Sequence, residues 1–263
     1  MGEPRSLNNR ITVEEVQRAT GRLKNNKAAG DDGIPPELYK YAPTELHQLI
    51  SENLNNIFEN HVDEIDFGMS VLLPTPKPNK EPGPPKNLRP LNLLLMIRKT
   101  FSMITLNRIK GKVNKYISSS QAAYTEKRST TDIVWGHRFI IAKTMLYKNQ
   151  DIHITGLDMS SAFDTIDREE LMMVLENIID EDELRMCRLL LSDTKMKLRF
   201  DNHIEETFKT NKGSPQGDAI SGTFFNVDFE NALRDLRTEI LKNEIHIEHN
   251  YSKPSETRNL PKN

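Results

Sequence analysis

The chain has 263 residues, 36% of them hydrophobic and 28% charged, with a net charge of −2, enough material for one or two packed domains. No run is apolar enough to span a membrane and no signal peptide is visible. The single cysteine, Cys187, excludes an internal disulfide framework and suits an intracellular setting, cytoplasm or nucleus, as a buried thiol. The small net charge hides a segregation. Lys77 to Lys115 holds ten Lys or Arg against one acid, Glu81, while Asp151 to Glu183 holds eleven Asp or Glu against one base, Arg168. A basic block suits phosphate backbones and an acidic block suits divalent cations, but both also suit solvated helical faces.

In chain order, Thr12 and Glu15 form a capping-box pattern ahead of Val13, Val16, Ala19 and Leu23 at helical spacing. A turn-rich loop, Lys27 to Gly33, follows, and Pro35-Pro36 starts a short helix. Leu46, Leu49, Ile50, Leu54, Ile57 and Phe58 mark a long amphipathic helix. Val71 to Leu73 reads as a strand, and Pro74 to Pro85 as an extended loop unable to pair inside a sheet. Ile97, Phe101, Ile104, Ile109 and Val113 define another long helix, with several of Arg98, Lys99, Arg108, Lys110, Lys112 and Lys115 opposite the apolar stripe. Ile152, Ile154 and Leu157 alternate, predicting a half-buried strand that ends in Asp158. Helices follow over Arg168–Ile179 and Asp182–Leu191. Met196, Leu198 and Phe200 alternate, then a hairpin turn at Asp201-Asn202-His203 leads into Glu206 to Lys212. A loop spans Gly213–Gly217, a helix spans Ala219–Leu241, and the tail 243–263 is polar, as in a disordered segment. The order of elements points to an α+β fold.

Three segments offer chemistry. The first is Leu157-Asp158-Met159-Ser160-Ser161-Ala162-Phe163-Asp164: a carboxylate at a strand end is fixed in direction yet open to a metal, although a plain turn-capping Asp fits equally. Ser160 stands where a haloacid-dehalogenase phosphatase needs a second Asp. The second is Gly213-Ser214-Pro215-Gln216-Gly217-Asp218, where two glycines around a rigid proline let backbone approach a flat ligand. The third is Lys86-Asn87-Leu88-Arg89-Pro90, whose Arg89 has the fork geometry that suits a triphosphate.

Together and in this order, these segments resemble the reverse transcriptase domain of non-long-terminal-repeat (LINE-type) retrotransposons. Lys24 to Pro35 is similar to the family's entry into the fingers and Leu73 to Asn92 to its nucleotide-binding hairpin. Gln121-Ala122-Ala123-Tyr124 with Arg128 to Asp132 is similar to the stretch before motif A, Ile154 to Asp164 to motif A, and Gly213 to Asn226 to motif B. The resemblance implies right-hand polymerase fingers over 1–150 and a partial palm over 151–242, with no thumb. It implies that Asp158, with the Met159 carbonyl, is a ligand of two Mg²⁺ ions. Phe163 would be the steric-gate aromatic beneath the deoxynucleotide sugar. Arg89, with Lys77 or Lys80, would hold the triphosphate, and Gln216 and Gly217 would border the new base pair. Arg98, Lys99, Arg108, Lys110, Lys112 and Arg128 would lie along the RNA template and DNA primer.

The chain departs from the family's pattern at one point. The Tyr/Phe-x-Asp-Asp string that supplies the remaining catalytic carboxylates is absent, and the one Asp-Asp pair, Asp31-Asp32, falls in the fingers loop. The expectation is an incomplete reverse transcriptase, inactive as an isolated chain. A non-catalytic RNA-binding module of the same descent, and an unrelated α+β protein, are the other readings.

Overall fold

The computed structural model describes residues 5–59, 67, 69–81, 84–148, 154, 156–192, 194–200 and 203–242. At the N-terminal end the expected capping box forms. Thr12 Oγ1 accepts from Glu15 N at 3.3 Å, and Glu15 Oε2 accepts from Thr12 N at 3.0 Å. It opens α1 (Val13–Gly21). Pro36 opens α2 (Pro36–Lys40), where a missing N–H costs nothing, and α3 is Thr44–Glu59. Asn55 on α3 grips the backbone just before α1: Oδ1 accepts from Ile11 N at 2.8 Å and Nδ2 donates to Ile11 O at 2.9 Å.

A hairpin follows, β1 (Ser70–Pro76) and β2 (Leu88–Leu93), paired from Val71↔Leu93 to Pro76↔Leu88. The strand thus runs through Pro74 and Pro76, beyond its expected end. The reason is positional. Only Ser70, Val71 and Leu72 also pair on the other side, with a later strand, so these prolines leave no broken ladder there.

Next come α4 (Met96–Tyr116), α5 (Thr130–Lys143), α6 (Arg168–Glu176), α7 (Glu181–Leu191), β3 (Thr194–Phe200), β4 (His203–Thr210) and α8 (Ser221–Lys242). The strands form one small mixed sheet in the order β2-β1-β3-β4: β1 and β3 run parallel, and β3 and β4 make the expected hairpin. Sequence and structure therefore agree on a mixture of helices and strands. No described helix is long and apolar enough to cross a membrane.

α4 is the axis of the core. Met96, Phe101, Ile104, Ile109 and Val113 are buried, but so are Arg98, Thr100, Ser102 and Thr105. The expected stripe with an opposite basic face holds only for its C-terminal half; its N-terminal half is enclosed on most sides. Thr100 and Thr105 tolerate this because their hydroxyls donate to Met96 O and Phe101 O, each at 2.9 Å. Val16, Leu54, Leu171, Leu175, Met186, Leu190, Phe224 and Val227 complete the same core. Cys187 is fully buried within it, and burial pushes its thiol well above the ordinary range, as a structural cysteine requires.

Two differences concern the segment before α6. The expected strand does not form over the described residues 154 and 156–157: Ile154 is exposed and Leu157 is 87% exposed. Alternation makes a strand only where a neighbour supplies a ladder, and no described strand lies there. Ile152 falls outside the described residues, as does the tail 243–263. The second difference is α5, a helix over a stretch where the sequence predicts no element. None of its residues is buried, so its apolar positions follow no inward-facing stripe.

Buried charge ties the helices to the loop before α8. Arg168, the first residue of α6, donates from Nε to Gly213 O at 2.8 Å and from one terminal nitrogen to Leu191 O and Thr210 O, both at 2.8 Å. Its other nitrogen donates to Thr210 Oγ1 and Lys212 O, both at 3.0 Å. Nearby, Arg98 donates to Leu190 O at 2.6 Å and stands 3.3 Å from the carboxylate of Asp218, which also accepts from the Ser102 hydroxyl. Burial, then repulsion from Arg98, lowers the Arg168 guanidinium to about 10, so it stays charged at neutral pH. Both guanidiniums therefore reach the carbonyl end of α7, and Arg98 also faces the buried carboxylate of Asp218.

Removing the Asp218 carboxylate leaves the buried Arg98 charge unopposed, so Asp218→Ala is expected to cost about 3–5 kcal/mol in urea unfolding; a loss below about 1 kcal/mol would contradict the account. A second expectation concerns acid. Burial tends to raise Glu15, but the hydrogen bonds from Arg108 and the Thr12 backbone outweigh it, leaving its carboxyl below the ordinary value. A depressed carboxyl contributes stability above its unfolded value and loses it as pH falls through the folded value. Glu15→Gln should therefore narrow the gap in urea midpoint between neutral and acidic solution, and an unchanged gap would count against this assignment.

Candidate active site

The segment that carries Asp158 is shaped by its own turn. Ser161 has φ +55°, and Asp164 N donates to Ser161 O at 2.8 Å. Asp158 and Met159 are exposed ahead of this turn, and Phe163 is half-buried within it. Asp158 thus stands in open chain, where a strand end was expected.

The Gly213–Gly217 loop is laced to two other segments. On one side Gly213 N donates to Ile166 O at 2.8 Å and Ser214 N to Phe163 O at 2.9 Å. Gly213 has φ +75°, and a Cβ there would stand 2.8 Å from Phe163 O and from the Asp164 Cα, so glycine is needed twice over. On the other side Asn92 N donates to Gln216 O at 3.0 Å, and a Cβ on Gly217 (φ +115°) would stand 3.0 Å from Asn92 O. Ser221 braces the loop from inside, donating to Pro215 O at 2.8 Å with the Ser214 hydroxyl 2.7 Å away.

The loop that carries Gln216 is therefore hydrogen-bonded to the Phe163 segment on one side and to Asn92 of β2 on the other; Arg89 lies exposed three residues before Asn92. In the β1–β2 turn, Lys77 Nζ donates to Lys86 O at 2.8 Å, while Lys80 is exposed. Phe163 sits among other rings. Tyr124 meets it edge-on at 5.7 Å and Phe225 tilts against it at 5.5 Å. Tyr124, Asn226, Arg168 and Asp218 do structural work here that sequence reasoning does not assign, although all but Arg168 lie in stretches that carry the family resemblance.

The basic residues behave differently from the expected phosphate-facing row. Arg98 is interior, held by Leu190 O and Asp218. Lys99 is half-buried, and burial lowers its ammonium while the Asp218 charge acts to raise it. Arg108 grips Glu15 at 2.6 and 2.7 Å and donates to Asn9 O and Arg10 O. Lys112 reaches Asp180 at 2.7 Å and Glu183 at 2.6 Å, so part of the basic block is neutralised by the acidic block. Lys110 pairs with Glu126 at 3.0 Å, and Arg128 donates to Ser118 O and Gln121 O. Among the described residues no three His, Cys, Asp or Glu side chains gather as a metal-binding group.

The chain matches the family model of reverse transcriptase (RNA-dependent DNA polymerase) over residues 75–251. It is 22% identical over 220 residues to the RNA-directed DNA polymerase from mobile element jockey of Drosophila funebris, covering 82% of this chain and 24% of that protein. It is 22% identical over 207 residues to the probable RNA-directed DNA polymerase from transposon X-element of Drosophila melanogaster, covering 78% and 23%. With the retrovirus-related Pol polyprotein from type-1 retrotransposable element R2 of Bradysia coprophila it shares 24% identity over 229 residues, 86% of this chain and 25% of that one. The chain spans about a quarter of the length of these relatives. A match across most of the chain, joined to this set of relatives, shows that the chain belongs to the reverse transcriptase family and is a reverse transcriptase domain of the LINE type.

Proposed function

We propose that this chain forms the nucleotide- and template-binding part of a retrotransposon RNA-directed DNA polymerase, with fingers over 1–150 and a partial palm over 151–242. One observation carries the reading: the Gly213–Gly217 loop is hydrogen-bonded to Phe163 and Ile166 on one side and to Asn92 of β2 on the other. Phe163 and Asn92, 71 positions apart in sequence, are both hydrogen-bonded to the loop that carries Gln216, and Arg89 lies three residues before Asn92 on β2. In this reading Arg89, with Lys77 or Lys80, takes the triphosphate of an incoming deoxynucleotide. Phe163 lies under its sugar, and Gln216 and Gly217 border the base pair formed with an RNA template. Exposed apolar side chains before α6 (Ile154, Leu157) support a partial palm, since such surface calls for cover.

Two Mg²⁺ ions would serve the nucleotidyl transfer of the intact site, clamping the attacking 3′-hydroxyl and the leaving pyrophosphate. The residues present do not fit that role alone. Asp158 and the Met159 carbonyl offer a beginning, but no Tyr/Phe-x-Asp-Asp string occurs. Asp31 is occupied by Lys197 at 2.8 Å, and Asp32 accepts from Ile34 N at 3.0 Å. One carboxylate leaves the charge of two divalent ions poorly balanced. This chain by itself therefore binds without polymerising. The alternative of a free-standing RNA-binding module has less support, because Arg98, Arg108 and Lys112 are spent inside the protein.

The test has two arms on the full chain. Equilibrium dialysis with dGTP and Mg²⁺ should show binding that Arg89→Ala weakens about tenfold or more, the scale of a lost charge-assisted hydrogen bond. Template-primed deoxynucleotide incorporation, with Mg²⁺ or Mn²⁺, should not exceed that of Asp158→Ala. Binding indifferent to Arg89 would overturn the pocket, and incorporation above the control would overturn the inactivity.

A further inference from the structure

Tyr124 is an aromatic residue that burial does not explain. Its side chain is 64% exposed, yet its backbone is held at φ +55°, a region bulky residues avoid. The neighbouring chain enforces this conformation. Asn226, buried on α8, donates from Nδ2 to Ala123 O at 2.9 Å and accepts from Gln121 Nε2 at 2.8 Å. Arg128 then fixes Ser118 O and Gln121 O from the other direction, at 2.9 and 2.7 Å. The segment before and after Tyr124 is thus anchored, and within it Tyr124 and Lys127 take positive φ, +55° and +60°.

The ring has a prepared seat. A Cβ added to Gly222, one turn before Asn226 on α8, would stand 2.5 Å from the Tyr124 Cδ1 and Cγ atoms. Any side chain at 222 would therefore displace the ring. From this seat Tyr124 meets Phe163 edge-on, with centroids 5.7 Å apart and planes at 82°. Phe225 also meets Phe163, at 5.5 Å, itself stacked on Phe229 at 5.7 Å. Phe163 thus touches a ring from the 118–128 segment and a ring from α8. Backbone strain kept in a partly exposed residue is characteristic of sites where position matters more than stability.

We propose that Tyr124 is a positioning residue for substrate selection: seated on Gly222, its ring holds Phe163 where a ribose 2′-hydroxyl would collide with it. The proposal rests on the reading of Phe163 as the ring under the nucleotide sugar, and it adds a residue that sets that ring's place. Tyr124 acts through Phe163, and its hydroxyl has no part in the effect.

The experiment compares the affinities of the full chain for dGTP and GTP in Mg²⁺ by equilibrium dialysis. The wild-type chain favours dGTP. Tyr124→Ala reduces that preference about three- to tenfold, the scale of one aromatic pair. Tyr124→Phe restores it. Gly222→Ala keeps Tyr124 but unseats its ring, and lowers the preference in the same direction. Thermal melting separates selection from stability: Tyr124→Ala removes an exposed ring and keeps a melting temperature close to wild type, so its effect on selection is measurable even if Gly222→Ala fails to fold. A wild-type preference that survives Tyr124→Ala overturns the proposal and leaves the nucleotide pocket intact. A wild-type chain that binds both nucleotides equally overturns the role of Phe163 and this proposal with it, and one that binds neither overturns the pocket reading itself.

Discussion

The guanidinium of Arg168 is the point on which the arrangement turns. Its hydrogen bonds reach the last residue of α7, the last residue of β4 and the start of the Gly213 loop. Arg can do this because its nitrogens form a rigid planar fork with donors on several sides, each here aimed at a carbonyl or hydroxyl of another segment. Lysine would offer a single point of attachment. Arg98 adds a second guanidinium close by, and the Asp218 carboxylate stands against it at 3.3 Å. The cost of burying this charge is offset by many carbonyl dipoles, the C-terminal end of α7 among them.

The consequence is a loop with almost no freedom. Gly213 and Gly217 press backbone to backbone on opposite sides, one against Phe163 and Asp164, the other against Asn92. Ser214 and Ser221 brace the interior. A loop anchored this way transmits position: a shift of β2 carries Gln216 with it, and a shift of the turn at Ser161 carries Phe163. The aromatic group of Tyr124, Phe163, Phe225 and Phe229 continues the same logic in side chains, each ring limiting the next. This precision sits beside Asp158 and α5, which gain little from the fold around them and lie open to solvent. The best-built part of the domain is the part assigned to holding a nucleotide.

Charge in this chain also works mainly inward. The basic run from Lys77 to Lys115 and the acidic run from Asp151 to Glu183 look like two separate fields in one dimension. In three dimensions α4 lies against α7, and Lys112 meets Asp180 and Glu183. Arg108 is turned toward Glu15 and the backbone before α1. The basic side chains facing solvent are therefore fewer than the count of basic residues suggests, and those proposed for a triphosphate lie on the β1–β2 hairpin.

What the sequence by itself determined were features settled within a few residues. The capping box at Thr12 and Glu15, the proline at the start of α2, helix α3 (with Leu46 and Leu49 of its apolar pattern left exposed) and the β3–β4 hairpin formed as local elements, because each depends on groups within one turn or one hairpin. Other features were decided only by tertiary structure. Whether Arg98 faced water or the core depended on Asp218, 120 positions away. Whether Ile154 and Leu157 made a strand depended on a neighbouring ladder. Tyr124 took on meaning only beside Gly222 and Phe163, which lie 98 and 39 positions further along the chain. Periodicity records which face is apolar, but the partner that covers a face, pairs a charge or seats a ring is fixed only when distant segments are packed together.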